Sequence, residues 1–180
     1  YTSRSDARNR NCIVTPEVNK NQIDQVVDLM RYARRPVLYT GGGVINAGPE
    51  ASKILRELAS ATGFPVTSTL MGLGAFPASD PQWLGMLGMH GSYEANNAMH
   101  DCDLMIAIGA RFDDRVTGRL DAFSPNSRKI HIDIDPSSIN KNVPVDIGVI
   151  GDAGAIMEAM LAEWKRRDKE ETHDRARIEG

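Results

Sequence analysis

The run Pro36-Val37-Leu38-Tyr39-Thr40-Gly41-Gly42-Gly43 is apolar without alternation and stops in glycines. That is the pattern of a parallel strand, buried on both faces, that opens into a loop. Downstream, Gly48-Pro49 opens a segment in which Ala51, Ile54, Leu55 and Leu58 recur at helical spacing, with Pro49 near the first helical position and Gly63 as the stop. Phe64-Pro65-Val66-Thr67-Ser68-Thr69 reads as a second strand. Strand, glycine loop, helix and strand fit within about 33 residues, the length of a right-handed βαβ unit.

The same alternation extends in both directions. Ile23, Val26, Val27 and Met30 mark one face of an upstream helix that Arg34-Arg35-Pro36 closes. The glycine-rich stretch with Trp83, Leu84, Met86 and Leu87 holds a short strand ahead of a helix near Tyr93 to His100. Asp103 to Gly109 and Lys129 to Asp135 read as strands, and Ile147 to Ile150 as a last short one. Asp152 is placed to cap a closing helix carrying Met157, Met160, Leu161 and Trp164. The expected fold is α/β: a Rossmann-like three-layer α/β/α domain with a parallel sheet of about six strands. Residues 1–20 are expected to be a linker or the remnant of a preceding domain, 21–164 the domain itself, and 165–180 a charged tail that is either a solvated helix extension or a linker. The start at Tyr1, inside a polar, arginine-dotted stretch, suggests part of a longer protein.

Composition narrows the function classes. The 180 residues are 41% hydrophobic and 25% charged, enough for one ordinary core. Lys and Arg number 21 against 24 Asp and Glu, so no basic footprint for nucleic acid stands out. No apolar run is long enough for a membrane helix. Cys12 and Cys102 make no disulfide framework and no metal cluster, which favours a reducing, cytoplasmic setting. Neither G-x-S-x-G nor H-E-x-x-H occurs, so no nucleophile–base or zinc-protease arrangement is evident.

In an open parallel sheet, ligands bind beyond the carboxyl ends of the strands. Those ends carry Gly41-Gly42-Gly43, Thr69-Leu70-Met71-Gly72, Leu87-Gly88-Met89-His90-Gly91, the segment Gly109 to Arg115, Asp133-Ile134-Asp135 and Gly151-Asp152. Glycines that permit close backbone approach and arginines suited to phosphate point to a nucleotide or dinucleotide. Each piece also has a plainer reading. The glycine triplet can be a tight turn, His90 a turn residue, and Arg111, Asp113, Asp114 and Arg115 a surface ion-pair cluster. His100, His131 and His173 read as structural or solvated, and Cys102 as a half-buried apolar residue. Asp133 and Asp135 share one side of their expected strand, and only the one nearest the sheet edge would meet a ligand. Ordinary NAD binding is disfavoured, because Asn46 stands where G-x-G-x-x-G has its third glycine and Thr67-Ser68-Thr69 offer no ribose-binding acid.

The strings Tyr39-Thr40-Gly41-Gly42-Gly43, Ser68 to Gly74, Leu87-Gly88-Met89-His90-Gly91, Arg111-Phe112-Asp113-Asp114-Arg115-Val116-Thr117-Gly118 and His131-Ile132-Asp133-Ile134-Asp135 closely resemble the acetohydroxyacid synthase (acetolactate synthase) family of thiamine-diphosphate enzymes. The likeness covers residues 36 to 153 in order, and R-F-D-D-R-V-T-G is highly specific. It implies the central of three domains, which carries FAD. By motif, the resemblance implies that Gly42 and Gly43 approach the dinucleotide backbone. Thr69, Leu70 and Met71 would line the ribityl and flavin region, and Leu87, Gly88, Met89 and His90 would continue that wall. Arg111 would be the phosphate partner, flanked by Gly109, Ala110, Phe112 and Asp113. Asp133 with Ile134, and Asp152 with Ala153, would hold the adenosine end. Arg115, oriented by Asp114, would bind the carboxylate of the second 2-oxo acid. The chain departs from the family at Pro136-Ser137-Ser138, where many members have an acid.

For the whole enzyme the family implies condensation of two pyruvates, or of pyruvate and 2-oxobutyrate, for branched-chain amino acid biosynthesis. No net oxidation occurs, so the flavin would be structural. Thiamine diphosphate and Mg2+ would lie on amino- and carboxy-terminal domains. Gly151-Asp152-Ala153 fails the family's Gly-Asp-Gly metal motif, and no asparagine follows Asn142. This chain alone is therefore expected to be inactive and to bind no metal, with a homo-oligomer and a regulatory small subunit as partners, in a bacterial cytoplasm. The alternatives are another thiamine enzyme's central domain, binding ADP or nothing, and a self-contained NAD-dependent enzyme.

Overall fold

The computed structural model describes residues 17–112 and 123–178. Their elements are α1 (Lys20–Tyr32), β1 (Pro36–Thr40), α2 (Gly42–Asn46), α3 (Pro49–Thr62), β2 (Val66–Ser68), β3 (Trp83–Met86), α4 (Tyr93–Asp101), β4 (Leu104–Ile108), β5 (Arg128–Asp133), β6 (Ile147–Ile150) and α5 (Ala153–Ile178). The strands form one six-stranded sheet in the order β3-β2-β1-β4-β5-β6. Every pairing is parallel. The chain thus builds outward from β1 to β3, then returns to β1's other side with β4. Loops diverge between β1 and β4, leaving a crevice at the carboxyl ends of the strands.

The unbroken apolar runs follow from burial on both faces. In β4, Leu104, Ile106 and Ile108 join the core packed under α1, α3 and α5, while Met105 and Ala107 join a second cluster with Met99 of α4, Phe112, Phe123 and Val143. β1 divides in the same way, with Leu38 in the first cluster and Val37 and Tyr39 in the second. The α1 face holds Ile23, Val26, Val27 and Met30, and Asn19 caps it by accepting from the Asn21 and Gln22 backbone N–H groups. At the next turn the Asp103 carboxylate accepts from the Arg34 and Arg35 N–H groups at 2.8 and 2.9 Å, pinning the entry of β1 to that of β4.

Several boundaries differ from the sequence reading. The second strand stops at Ser68, because the Thr69 hydroxyl turns to accept from the Gly72 N–H and caps a single 3-10 turn at Leu70–Gly72. β5 stops at Asp133, so Asp133 and Asp135 do not share a strand. Asp135 instead caps the turn Pro136–Ser138 by accepting from the Ser137 N–H at 2.9 Å. Gly42–Asn46 is a short helix, too brief to show periodicity. The charged stretch from Lys165 is helix, continuous with the core part of α5 through Ile178. Arg167 ties it to Asp24 and Asp28 of α1, and Arg31 of α1 reaches Glu171.

Candidate functional site

The ends of β1, β2, β4, β5 and β6 surround a cleft of about 590 Å³, within the range of cofactor sites. Its floor at the switch point is a close backbone crossing. The Gly41 N–H donates to the Ile108 carbonyl at 3.0 Å and the Gly43 N–H to the Gly109 carbonyl at 2.9 Å. A Cβ on Gly43 would stand 2.6 Å from the Gly109 Cα, and Gly109 itself has φ +57. These glycines therefore let the first and fourth strand loops interlock. The Gly43 N–H is committed to protein, so Gly43 serves the cleft by close packing rather than by donation.

Across the sheet the lining changes character. After β2, Leu70 and Met71 form an apolar rim, 68% and 74% exposed. After β4 come Gly109, Ala110 and the exposed Arg111. After β5 lie Asp133 and Ile134, and after β6 Asp152 and Ala153. The Asp133 Oδ1 accepts from the Asp135 N–H at 2.9 Å, which orients its carboxylate. Asp152 Oδ1 accepts from the Ala155 N–H at 3.0 Å, the N-cap expected for α5. Beneath Asp133, burial pushes the His131 imidazole below its ordinary value, against the opposing pulls of the Asp133 charge and the Ala110 backbone.

Gly42, Gly43, Thr69, Leu70, Met71, Gly109, Ala110, Arg111, Asp133, Ile134, Asp152 and Ala153 thus line one cleft. Leu87, Gly88, Met89 and His90 do not line it, since they follow the edge strand β3. There Leu87 is buried, Asn96 clamps the Gly88 backbone on both sides, and the Gly91 N–H closes a turn around His90 onto the Gly88 carbonyl. Phe112 also turns away, packing edge-on against Phe123 and His131 in the second core cluster. Asp113, Asp114 and Arg115 lie outside the described residues. The cleft adds Asn46, Ala47 and Ile132, which the sequence reading does not assign, and includes Gly151, which that reading sets at the end of the last strand without a role of its own. Asn46 lies one helical turn from Gly42, a signal visible only once Gly42–Asn46 is known to be helical.

A polar cluster at the opposite end of the strands is separate. Cys102 Sγ lies 3.2 Å from Ser124 Oγ, and Lys129 Nζ donates to the Ser124 and Ser127 carbonyls. Burial pushes the Cys102 thiol up, which disfavours the reactive thiolate, and Cys102 is fully rather than half buried. Among the described residues no group of His, Cys, Asp and Glu is placed to hold a metal ion, and no helix is long and apolar enough to cross a membrane.

Residues 23–160 match the family described as thiamine pyrophosphate enzyme, central domain. The chain is 52% identical over 148 residues to the acetolactate synthase large subunit of Haemophilus influenzae, covering 81% of this chain and 26% of that protein. It is 50% identical over 143 residues to the acetolactate synthase isozyme 3 large subunit of Escherichia coli, covering 79% and 25% respectively. With the acetolactate synthase of Mycobacterium avium it shares 52% identity over 154 residues, 86% of this chain and 24% of that protein. This chain therefore spans about a quarter of the length of these relatives. The parallel sheet in Rossmann order and the extended family match agree, and the chain belongs to the thiamine pyrophosphate enzyme central-domain family.

Proposed function

We propose that this chain is the FAD-binding central segment of an acetolactate synthase large subunit, with residues 21–164 as the domain, and that its cleft holds the dinucleotide structurally. The order of groups across the cleft carries this reading. The apolar rim of Leu70 and Met71 suits a flavin ring, the Arg111 guanidinium a diphosphate, and the Asp133 carboxylate a ribose diol. The fit to FAD is better than to NAD, because β2 ends in Thr67 and Ser68, both buried and uncharged. In this reading Gly43 and Gly109 keep the floor low, Arg111 neutralises the diphosphate, and Asp133 fixes the adenosine end. Arg115, with Asp114 beside it in sequence, would bind the carboxylate of the second 2-oxo acid.

In the whole enzyme the reaction would join two pyruvates, or pyruvate and 2-oxobutyrate, in branched-chain amino acid biosynthesis. Thiamine diphosphate and Mg2+, held by amino- and carboxy-terminal domains, supply the carbon–carbon bond chemistry when bound. A cytoplasmic homo-oligomer with a regulatory small subunit completes the proposal, and this chain alone is inactive. The test is titration of the purified chain with FAD, followed by flavin fluorescence and thermal unfolding, with NAD and ADP as controls. Saturable FAD binding that raises Tm is the expected result. A preference for NAD, or binding unaffected by Arg111→Met and Asp133→Ala, overturns it.

A further inference from the structure

β5 is buried, yet its side facing the second core cluster carries Lys129, His131 and Asp133 in succession. Two of these three polar side chains have partners. Lys129 Nζ donates to the carbonyls of Ser124 and Ser127 at 2.9 and 3.1 Å, and Asp133 Oδ1 accepts from the Asp135 N–H. His131 is different. It is 0% exposed, lies edge-on to Phe112 with ring centroids 5.0 Å apart, and neither ring nitrogen makes a hydrogen bond of good geometry, the Ala110 backbone and the Asp133 carboxylate being the polar groups that act on it. Its strand neighbours, Ala107 of β4 and Gly148 of β6, bring no charge towards it. Leaving buried polar atoms unpaired is costly, and an apolar side chain would fill the same space without that cost.

Besides the Ala110 backbone, His131 faces the second oxygen of Asp133, Oδ2, 3.7 Å from Nε2. Asp133 lines the cleft, whereas His131 lies behind it. We infer that His131 is a positioning residue for the cleft: its Nε2–H closes onto Asp133 Oδ2 as a ribose diol binds, fixing the carboxylate so that its outward lone pairs receive the two hydroxyls. This rests on the dinucleotide reading above. An approach of about 0.5–1 Å brings the pair into hydrogen-bond range. The Oδ1 anchor at Asp135 leaves Oδ2 free to tip, and a donor from behind removes that freedom. Burial keeps the ring neutral near neutral pH, with a single N–H to give.

The experiment combines nitrogen NMR of the His131 ring in the full chain with FAD titrations of His131→Leu, His131→Gln, Asp133→Ala and the His131→Leu/Asp133→Ala double variant. The expected results are a proton on Nε2 whose resonance moves on FAD addition, and affinity about tenfold weaker in His131→Leu, as for loss of a hydrogen bond to a charged group. His131→Gln, which keeps an N–H at the end of its side chain, restores most of that affinity. The effect of His131→Leu vanishes in the Asp133→Ala background. Ligand-free thermal unfolding identifies any variant that fails to fold, and the ring resonance of the unsubstituted chain needs no His131 variant. A bare Nε2, or equal losses with and without Asp133, overturns the inference. If the unsubstituted chain binds no FAD, the dinucleotide reading fails. The inference is then judged by the His131 resonance in Asp133→Ala: a shift sustains the pairing, and no shift overturns it.

Discussion

Gly42 and Gly43 are neighbours in sequence with different physical reasons to be glycine. A Cβ on Gly43 would meet the Gly109 Cα at 2.6 Å, backbone against backbone, where neither side can yield without moving a strand loop. A Cβ on Gly42 would stand 3.3 Å from the Cβ of Met71, a residue 74% exposed on a single turn and able to shift. Gly43→Ala is therefore expected to cost about 1–3 kcal/mol of stability by overpacking. Gly42→Ala stays within about 0.5 kcal/mol, its helical backbone gaining from the substitution. Urea unfolding of both variants decides it, and similar losses would contradict the crossing as the constraint. The motif strings made both glycines legible as cleft residues. Which of them packs on β4's loop was not legible, because Gly109 lies 66 residues downstream of Gly43.

At the scale of elements, α5 outlasts its apolar face. Its core part packs through Ile156, Met157, Met160 and Leu161, and beyond them charge takes over. Glu163 is buried and accepts from Arg166 at 2.6 and 2.8 Å and from Arg167 at 2.5 Å, while Arg167 reaches across to α1. Arg31 of α1 lies over the Trp164 ring at 5.4 Å. The hydrogen bond from Arg166 is the foremost cause holding the Glu163 carboxyl well below its ordinary value, at about 2. Because the folded value is depressed, the contribution is whole above the ordinary value of 4.5 and is lost as pH falls towards about 2. Glu163→Gln should lower Tm by a few degrees at pH 7, with a gap that narrows on acidification. Thermal unfolding at several pH values checks this, and a gap independent of pH would refute the charge account. Sequence left this stretch open between helix and linker, since its few apolar residues give no period and its anchors sit more than a hundred residues away.

Across the whole molecule, the parallel ladder makes stability graded. β4 is paired on both sides along its full length, from Pro36↔Leu104 to Ile108↔Ile132, whereas β3 is an edge strand with a register shift beside Val66. Amide protons of β4 should exchange with solvent at rates set by global unfolding, and those of β3 through local opening about 100-fold faster or more. Hydrogen exchange followed by mass spectrometry measures the difference, and uniform protection would show a single cooperative sheet. The six strands and the longer helices that cover them were readable from the chain, because a strand buried on both faces must be apolar throughout and a helix covering it must repeat its apolar residues every turn. Gly42, Gly43, Arg111 and Asp133 were readable as residues of the cleft, because strand ends in such a sheet converge. Strand order is different in kind, and so are the consequences that hang on it. That Leu87 to His90 fall beyond the edge of the cleft, that Gly43 spends its N–H on Gly109, and that His131 sits buried against Phe112 behind Asp133 all depend on contacts between distant segments. Periodicity records how each segment meets a core, but carries no record of which segment it meets.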